Sequence, residues 1–94
     1  MEERVYYISL YDYYGNLLTE KQKKYFEDYY FDNLTMEEIA ENDSVSKNAV
    51  SKQLISIKNK LIIFENNLHL YKNKLEIINI LKDTKYLEKI EKYI

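Results

Sequence analysis

The strongest structural signal in this chain lies in residues 35–54, TMEEIAENDSVSKNAVSKQL. Thr35 and Glu38 have the spacing of a capping box, in which the hydroxyl and the carboxylate each accept a hydrogen bond from a backbone N–H at a helix start. Ser46 can cap a second helix with its hydroxyl. Two helices joined by so short a turn cross steeply, which leaves the outer face of the second helix free to enter a groove. The stretch therefore predicts a helix-turn-helix over residues 35–58.

The turn and the apolar positions of this motif lead to further expectations. Ser44 occupies the turn position that usually holds glycine, and a left-handed backbone there costs a non-glycine residue about 1 kcal/mol. We expect Val45 to re-enter the core directly after the turn. The inward sides of the two helices are predicted to carry Ile39, Ala40, Ala49, Val50 and Leu54.

Composition favours a single all-α domain over residues 1–94. The chain has no proline and one glycine, Gly15, so long helices are uninterrupted and tight hairpins are disfavoured. With 46% hydrophobic residues, the chain is too apolar for disorder. No run approaches the roughly 18 apolar residues of a membrane span, and residues 1–10 lack a basic leader before an apolar block. We therefore expect a cytoplasmic protein of four to five helices.

Local signals mark the helices that precede the motif. Apolar residues recur at helical spacing over residues 4–14, and residues 15–16, Gly-Asn, form a natural helix stop. Thr19 and Gln22 make a second capping box, which opens a helix that runs to about residue 30.

A heptad pattern of apolar residues follows the motif. Its members, separated alternately by three and four residues, are Leu54, Ile57, Leu61, Phe64, Leu68, Tyr71, Leu75 and Ile78. Four such heptads are typical of a coiled coil, so the sequence predicts one long C-terminal helix, with Asn66-Asn67 as the place for a kink or a break. Two compatible uses of this seam stay open. The first half can pack inside the monomer, and the second half can form a homodimer contact through Leu68, Tyr71, Leu75 and Ile78.

Residues 59–94 are thus predicted to form a helical C-terminal extension. Its last part has the pattern of a short amphipathic helix from about residue 86, capped at Asp83 or Thr84. In a monomeric alternative to the dimer, this helix folds back over the seam, with Leu87 and Ile90 as the covering residues.

Charge is distributed unevenly along the chain, although the net charge is only −2. Residues 20–43 carry a net charge of −5, whereas residues 44–60 contain four lysines and no acid. The basic segment is the one that a duplex in the groove would meet, and asparagine, serine and lysine side chains suit base edges and phosphates. The candidate DNA-binding residues on its outer side are Lys47, Asn48, Ser51, Lys52 and Asn59. With so few cations the electrostatic attraction is small, so we expect weak, salt-sensitive binding by a monomer.

The chain closely resembles the YlxM family of small bacterial proteins over about residues 6–82. The resemblance rests on the ordered string from Tyr14 to Gln22, on the helix-turn-helix that follows, and on Leu68-His69-Leu70. The Leu-Thr-x-Lys-Gln and Glu-Glu-Ile-Ala strings are also similar to the promoter-reading region of sigma factors. The resemblance implies a DNA-binding regulatory role and a link to the signal recognition particle. The alternative is an adaptor that does not bind DNA and contacts protein or RNA of that particle.

Other residues favour structural roles. The chain has no cysteine and one histidine, His69, so we expect no metal site, and His69 is interpreted as a structural or interface position. The eleven tyrosines are interpreted mainly as packing residues, although tyrosines can also stack on nucleic-acid bases. Because no nucleophile, Gly-rich loop or metal cluster accompanies the carboxylates, we expect neither catalysis nor a cofactor.

Overall fold

Helices make up nearly all of residues 3–94, the part of the chain that the computed structural model describes. These residues form six α-helices and no strand: α1 Glu3–Tyr14, α2 Glu20–Tyr30, α3 Met36–Asp43, α4 Lys47–Leu68, α5 Leu70–Leu81 and α6 Tyr86–Ile90. Short 3-10 turns follow α1 (Gly15–Leu17) and α6 (Glu91–Tyr93). The all-α prediction is confirmed. The described residues contain six helices where four to five were expected, because the predicted long C-terminal helix is divided in two.

The core lies where α1, α2 and α3 all pack against the first two-thirds of α4. From α4 it takes Val50, Leu54, Ile57 and Leu61, which are at most 3% exposed. Large aromatic residues fill the space opposite: the Phe26 ring lies parallel to Tyr11 on one side, with centroids 4.2 Å apart, and to Tyr30 on the other. Offset aromatic contacts of this kind add stabilisation beyond the area they bury. The first half of the heptad seam is therefore used inside the monomer.

Both capping boxes form as predicted. The Thr19 and Thr35 hydroxyls accept hydrogen bonds from the backbone N–H groups of Gln22 and Glu38, and both long side chains reach back to the threonine N–H. The Ser46 hydroxyl accepts from the Ala49 N–H at 3.1 Å and starts α4. These contacts satisfy N–H groups that a helix start otherwise leaves without partners.

The turn between α3 and α4 has the predicted backbone conformation, but one side chain that was predicted to be buried is exposed. Ser44 has φ 56° and ψ 42°, which is the left-handed conformation that was expected. The expectation that Val45 re-enters the core is wrong, because Val45 is 37% exposed. Its N–H closes the end of α3 by bonding to the Ala40 carbonyl at 3.0 Å, and the side chain at this position is left half in solvent.

Gly15 directly follows the end of α1, and the residue at this position has to be glycine for a steric reason. No glycine among the described residues has a positive φ, so the left-handed freedom of glycine is not used here. A Cβ at this position would lie 2.8 Å from the Tyr11 ring. The Tyr11 ring stacks on Phe26, and its hydroxyl donates a hydrogen bond to Glu27. Moving the ring aside would therefore weaken both contacts.

The side chain of Arg4, the only arginine, closes the C-terminal end of α2. Its guanidinium donates to the backbone carbonyls of Tyr29 and Tyr30 and to Asn33 Oδ1, and it lies over the Tyr30 ring. A cation at a helix C-terminus satisfies carbonyls that have no partner within the helix and interacts favourably with the helix dipole. Arg4 thus fixes α1 against the end of α2.

The predicted long helix breaks at His69, three residues after Asn66. His69 has φ 56° and ψ 25°, so α4 ends at Leu68 and α5 starts at Leu70 in a new direction. Because of this break, the second half of the seam does not continue the stripe of the first half: Tyr71 packs edge-on against Tyr6 of α1, whereas Leu68 and Leu75 remain about half exposed.

The last helix, α6, contacts α5. Its predicted cap at Asp83 or Thr84 is wrong: the residue before the helix is Lys85, which makes no side-chain cap, and the Thr84 hydroxyl donates instead to the Leu81 carbonyl. Leu87 and Ile90 are half-buried. No helix within residues 3–94 combines the length and the hydropathy that a membrane span requires.

Candidate nucleic-acid interface

The outer face of α4 carries a polar stripe that runs opposite the buried core residues. Asn48, Lys52 and Asn59 are exposed, Ser51 is half-buried, and Ile55 in their midst is 54% exposed. Their spacing of three or four residues puts them on one side of the helix. The structure therefore brings four of the five candidate residues together on one exposed face.

The fifth candidate, Lys47, is paired with an acid of the preceding helix. Its Nζ lies 2.9 Å from Oε1 of Glu37, and both side chains are more than half exposed. The hydrogen bond from Lys47 lowers the pKa of the Glu37 carboxyl, and the same contact raises the pKa of Lys47. Both groups are therefore charged near neutral pH, and the pair has no net charge.

Two other lysines of the basic segment turn away from the stripe. Lys58 reaches α1, where its Nζ lies 3.2 Å from Glu3 Oε1 and over the ring of Tyr7. Lys60 donates to Gln22 Oε1 of α2 at 3.1 Å. Of the four lysines in residues 44–60, only Lys52 makes no ion pair or side-chain hydrogen bond within the described residues. The positive charge on the outer face of α4 is thus smaller than the sequence suggests.

A cavity of about 400 Å³ opens beside Lys47, between the start of α1, the α2–α3 loop and the start of α3. Its lining consists of Arg4, Tyr29, Asn33, Leu34, Thr35, Met36, Glu37 and Lys47. The Arg4 guanidinium donates its hydrogen bonds to carbonyls at the end of α2. The charged groups of the cavity that can exchange their partner for a ligand are therefore those of the exposed Glu37–Lys47 pair. From α4 the cavity is lined by Lys47, the first residue of the helix.

Sequence reasoning missed Glu37 as a member of the site. It identified the neighbouring Glu38 as a capping residue, and Glu38 does cap α3. Glu37 precedes Lys47 by ten residues across a turn, so their contact depends on the crossing of α3 and α4. The one available signal was the acidic first turn of α3 beside a lysine at the first position of α4.

The four residues predicted to form a dimer contact differ in their solvent exposure. Tyr71 is buried in the monomer at 8% exposure, Ile78 is half-buried, and Leu68 and Leu75 are 50% and 45% exposed. Other apolar residues of the C-terminal part are exposed too, with Ile80 at 74% and Tyr93 at 76%. The α5–α6 region therefore presents apolar surface that does not follow the heptad seam.

His69 and the tyrosines have mainly structural surroundings. His69 is exposed, and its left-handed backbone joins α4 to α5. Tyr14, Tyr25 and Tyr30 are buried in the core, as expected for packing residues, whereas Tyr86 and Tyr93 are exposed. Within residues 3–94, no three side chains of the His, Cys, Asp and Glu types are grouped so that they could hold a metal ion.

Comparison with known proteins connects this geometry to a family. The family model UPF0122, described as "Putative helix-turn-helix protein, YlxM / p13 like", matches residues 1–94. The chain is 43% identical over 84 residues to a UPF0122 protein of Malacoplasma penetrans, covering 86% of this chain and 78% of the relative. It is 37% identical over 92 residues to a UPF0122 protein of Ureaplasma urealyticum, covering 95% and 93%. A UPF0122 protein of Clostridium acetobutylicum is 39% identical over 92 residues, covering 95% and 79%.

Proposed function

Because the chain belongs to the UPF0122 family of YlxM/p13-like helix-turn-helix proteins, we propose that it is a DNA-binding regulatory protein that inserts α4 into the major groove. The protein acts without catalysis, and this role places it in the cytoplasm, where the bacterial chromosome is. The observation that carries the proposal is the polar stripe on the outer face of α4. Because the turn at Ser44 is short, α3 and α4 cross steeply, and this outer face is free to enter a groove.

Each residue of the stripe has a chemistry that suits DNA. Asn48 and Asn59 carry amides, which can bond both N6 and N7 of adenine, and the exposed Ile55 suits the methyl group of thymine. Ser51 and Lys52 are suited to phosphate oxygens or base edges. No arginine is on this face, since Arg4 is held at the end of α2, so A·T-rich sites are favoured over guanine-rich ones.

The small positive charge of the stripe favours binding by a dimer. One free lysine supplies little counterion release, so a single protomer binds weakly. A homodimer with a contact that includes Leu68 and Leu75 would present two copies of α4 to a site of two half-sites. The exposure of both residues supports this arrangement.

A charge-reversal pair tests the proposal. Lys52→Glu changes the polar stripe, whereas Lys89→Glu makes the same charge change on the exposed surface of α6. In a mobility-shift assay with fragments of A·T-rich genomic DNA at low salt, we expect the first variant to lose binding and the second to keep it. Equal binding by the wild type and Lys52→Glu would contradict the proposal, provided that circular dichroism shows equal helix content.

A second candidate is an adaptor that binds a protein or RNA partner, such as a component of the signal recognition particle. The exposed apolar side chains of α5 and α6, among them Ile80 and Tyr86, favour it, since a partner could cover them. The same pair of variants distinguishes the two candidates. An adaptor that binds its partner through α6 should still capture that partner after Lys52→Glu, and should capture less of it after Lys89→Glu.

A further inference from the structure

We propose that Glu37 sets the strength and the salt dependence of duplex binding by competing with DNA phosphates for Lys47. The inference rests on the proposed function and names a control element within the same site. Glu37 is the second residue of α3 and Lys47 the first of α4, so their contact bridges the two helices of the motif outside the turn.

The contact has the geometry of a pair that can exchange partners. The two charged atoms are 2.9 Å apart, but the side chains are 64% and 60% exposed, so water and salt reach both groups. Exposed pairs of this kind contribute little to folding stability. A phosphate that approaches the N-terminal end of α4 can therefore take Lys47 from Glu37 without unfolding the motif.

The exchange has a cost that depends on Glu37. While Lys47 is paired, it neutralises no phosphate and releases no counterion. Once a phosphate takes Lys47, Glu37 loses its ion-pair partner, and the free energy of that lost contact reduces the net gain from binding. Duplex binding is thus weakened at this position whatever the base sequence, so the contacts of Asn48 and its neighbours with base edges must provide a larger share of the affinity.

No other acid of α3 is placed to act in this way. Glu38 is held by the backbone N–H of Thr35 in the capping box. Asp43 lies 3.7 Å from Lys24 of α2. Glu41 is exposed and makes no ion pair within the described residues, so it is a matched control that removes one negative charge from the same helix without freeing a lysine.

The test measures the affinity of the full chain for a fluorescein-labelled A·T-rich duplex by fluorescence anisotropy at several salt concentrations. Glu37→Gln is expected to tighten binding about two- to fivefold at low salt, the range of an exposed ion pair. It should also steepen the plot of log affinity against log salt by up to about 0.9, the slope for one additional phosphate contact in B-DNA. Glu41→Gln is expected to change both quantities less.

The Lys47→Gln background separates competition for Lys47 from a general effect of charge. In that background, adding Glu37→Gln should change the affinity no more than Glu41→Gln does. If wild type binds the duplex but Glu37→Gln behaves as Glu41→Gln, or if its effect persists without Lys47, the competition proposal is overturned and the proposed function stands. If neither the wild type nor any variant binds the duplex, the proposed function and this inference both fail.

Discussion

The hydroxyl of Tyr14, at the end of α1, donates a hydrogen bond to the carboxylate of Glu65, in the last turn of α4, at 2.5 Å. Glu65 also accepts from the backbone N–H groups of Tyr71 and Lys72, while the Leu70 N–H donates to the Tyr14 oxygen at 3.1 Å. A buried carboxylate therefore caps the start of α5 and holds the break at His69 against α1. This cluster sets the direction in which the C-terminal helices leave the helix-turn-helix.

Removal of the Tyr14 hydroxyl should destabilise the protein. In Tyr14→Phe, the buried Glu65 loses one donor and the Leu70 N–H loses its acceptor, so we expect a loss of about 1–3 kcal/mol in the free energy of unfolding. Urea denaturation followed by circular dichroism measures this loss. Tyr93→Phe is the matched control, because Tyr93 is 76% exposed, and it should change the free energy little. Equal stability of the two variants would show that the cluster does not hold the break.

The same hydroxyl should make stability sensitive to high pH. Burial, followed by the hydrogen bond to Glu65, raises the pKa of Tyr14 to about 12 from the ordinary value of 10.0. Below about pH 10 the phenol is protonated in the folded and unfolded states, so its contribution is fully present. Between about pH 10 and about 12 the unfolded state loses the proton first, and stability falls.

Comparison with Tyr14→Phe isolates this effect, because tyrosines such as Tyr11 and Tyr25, whose pKa values are also raised, titrate in both proteins. Urea midpoints measured across the window should fall more for the wild type than for the variant. Parallel curves would mean that Tyr14 titrates alike in both states.

Much of the helix pattern was predictable because its signals are local. The capping boxes at Thr19 and Thr35 involve residues three apart, so their contacts depend on one helical turn and on nothing more distant. The left-handed backbone of Ser44 was likewise expected from its position in the motif. The position of the break after α4 was predicted at Asn66, whereas the left-handed residue is His69. One left-handed residue does not change the spacing of the apolar residues on either side of it, so the heptad pattern contains no signal for the break.

The parts that escaped prediction depend on the arrangement of the helices. Tyr14 and Glu65 are 51 positions apart, and they meet only because α1 packs against α4. The directions of Lys58 and Lys60 depend on the rotation of α4 over α1 and α2, which charge counting along the sequence ignores. The Glu37–Lys47 pair is of the same kind, since it requires the crossing of α3 and α4.

Substitution of Ser44 by glycine should stabilise the fold. Ser44 has φ 56°, a conformation that glycine adopts without the steric cost of a Cβ, so we expect a gain of about 0.5–1 kcal/mol in the free energy of unfolding. Ser56→Gly is the control, because Ser56 lies within α4 and glycine there should be destabilising. Thermal denaturation of both variants provides the measurement. A lower melting temperature for Ser44→Gly would show that the serine side chain contributes more than the backbone strain costs.

If the proposed homodimer forms, a charged substitution in its contact should reduce the mass of the protein in solution from that of a dimer to that of a monomer. Leu75→Lys places a charge on an exposed position of the proposed contact and should give a monomer by light scattering, with the helix content unchanged. Ile63→Lys, at an apolar position of α4 that is 55% exposed and lies outside residues 68–78, should leave the dimer intact. A wild-type protein that is already monomeric at high micromolar concentration would exclude the dimer and leave the apolar surface of α5 and α6 for another partner.

Nuclear magnetic resonance can locate the contact between the outer face of α4 and duplex DNA, on which the proposed function depends. A titration of the ¹⁵N-labelled chain with an A·T-rich duplex reports which backbone amides change their environment. The proposal predicts that the largest chemical-shift changes occur at Lys47, Asn48, Ser51, Lys52 and Asn59, and that residues 75–93 change little. Changes concentrated in α5 and α6, or no change at low salt, would contradict it.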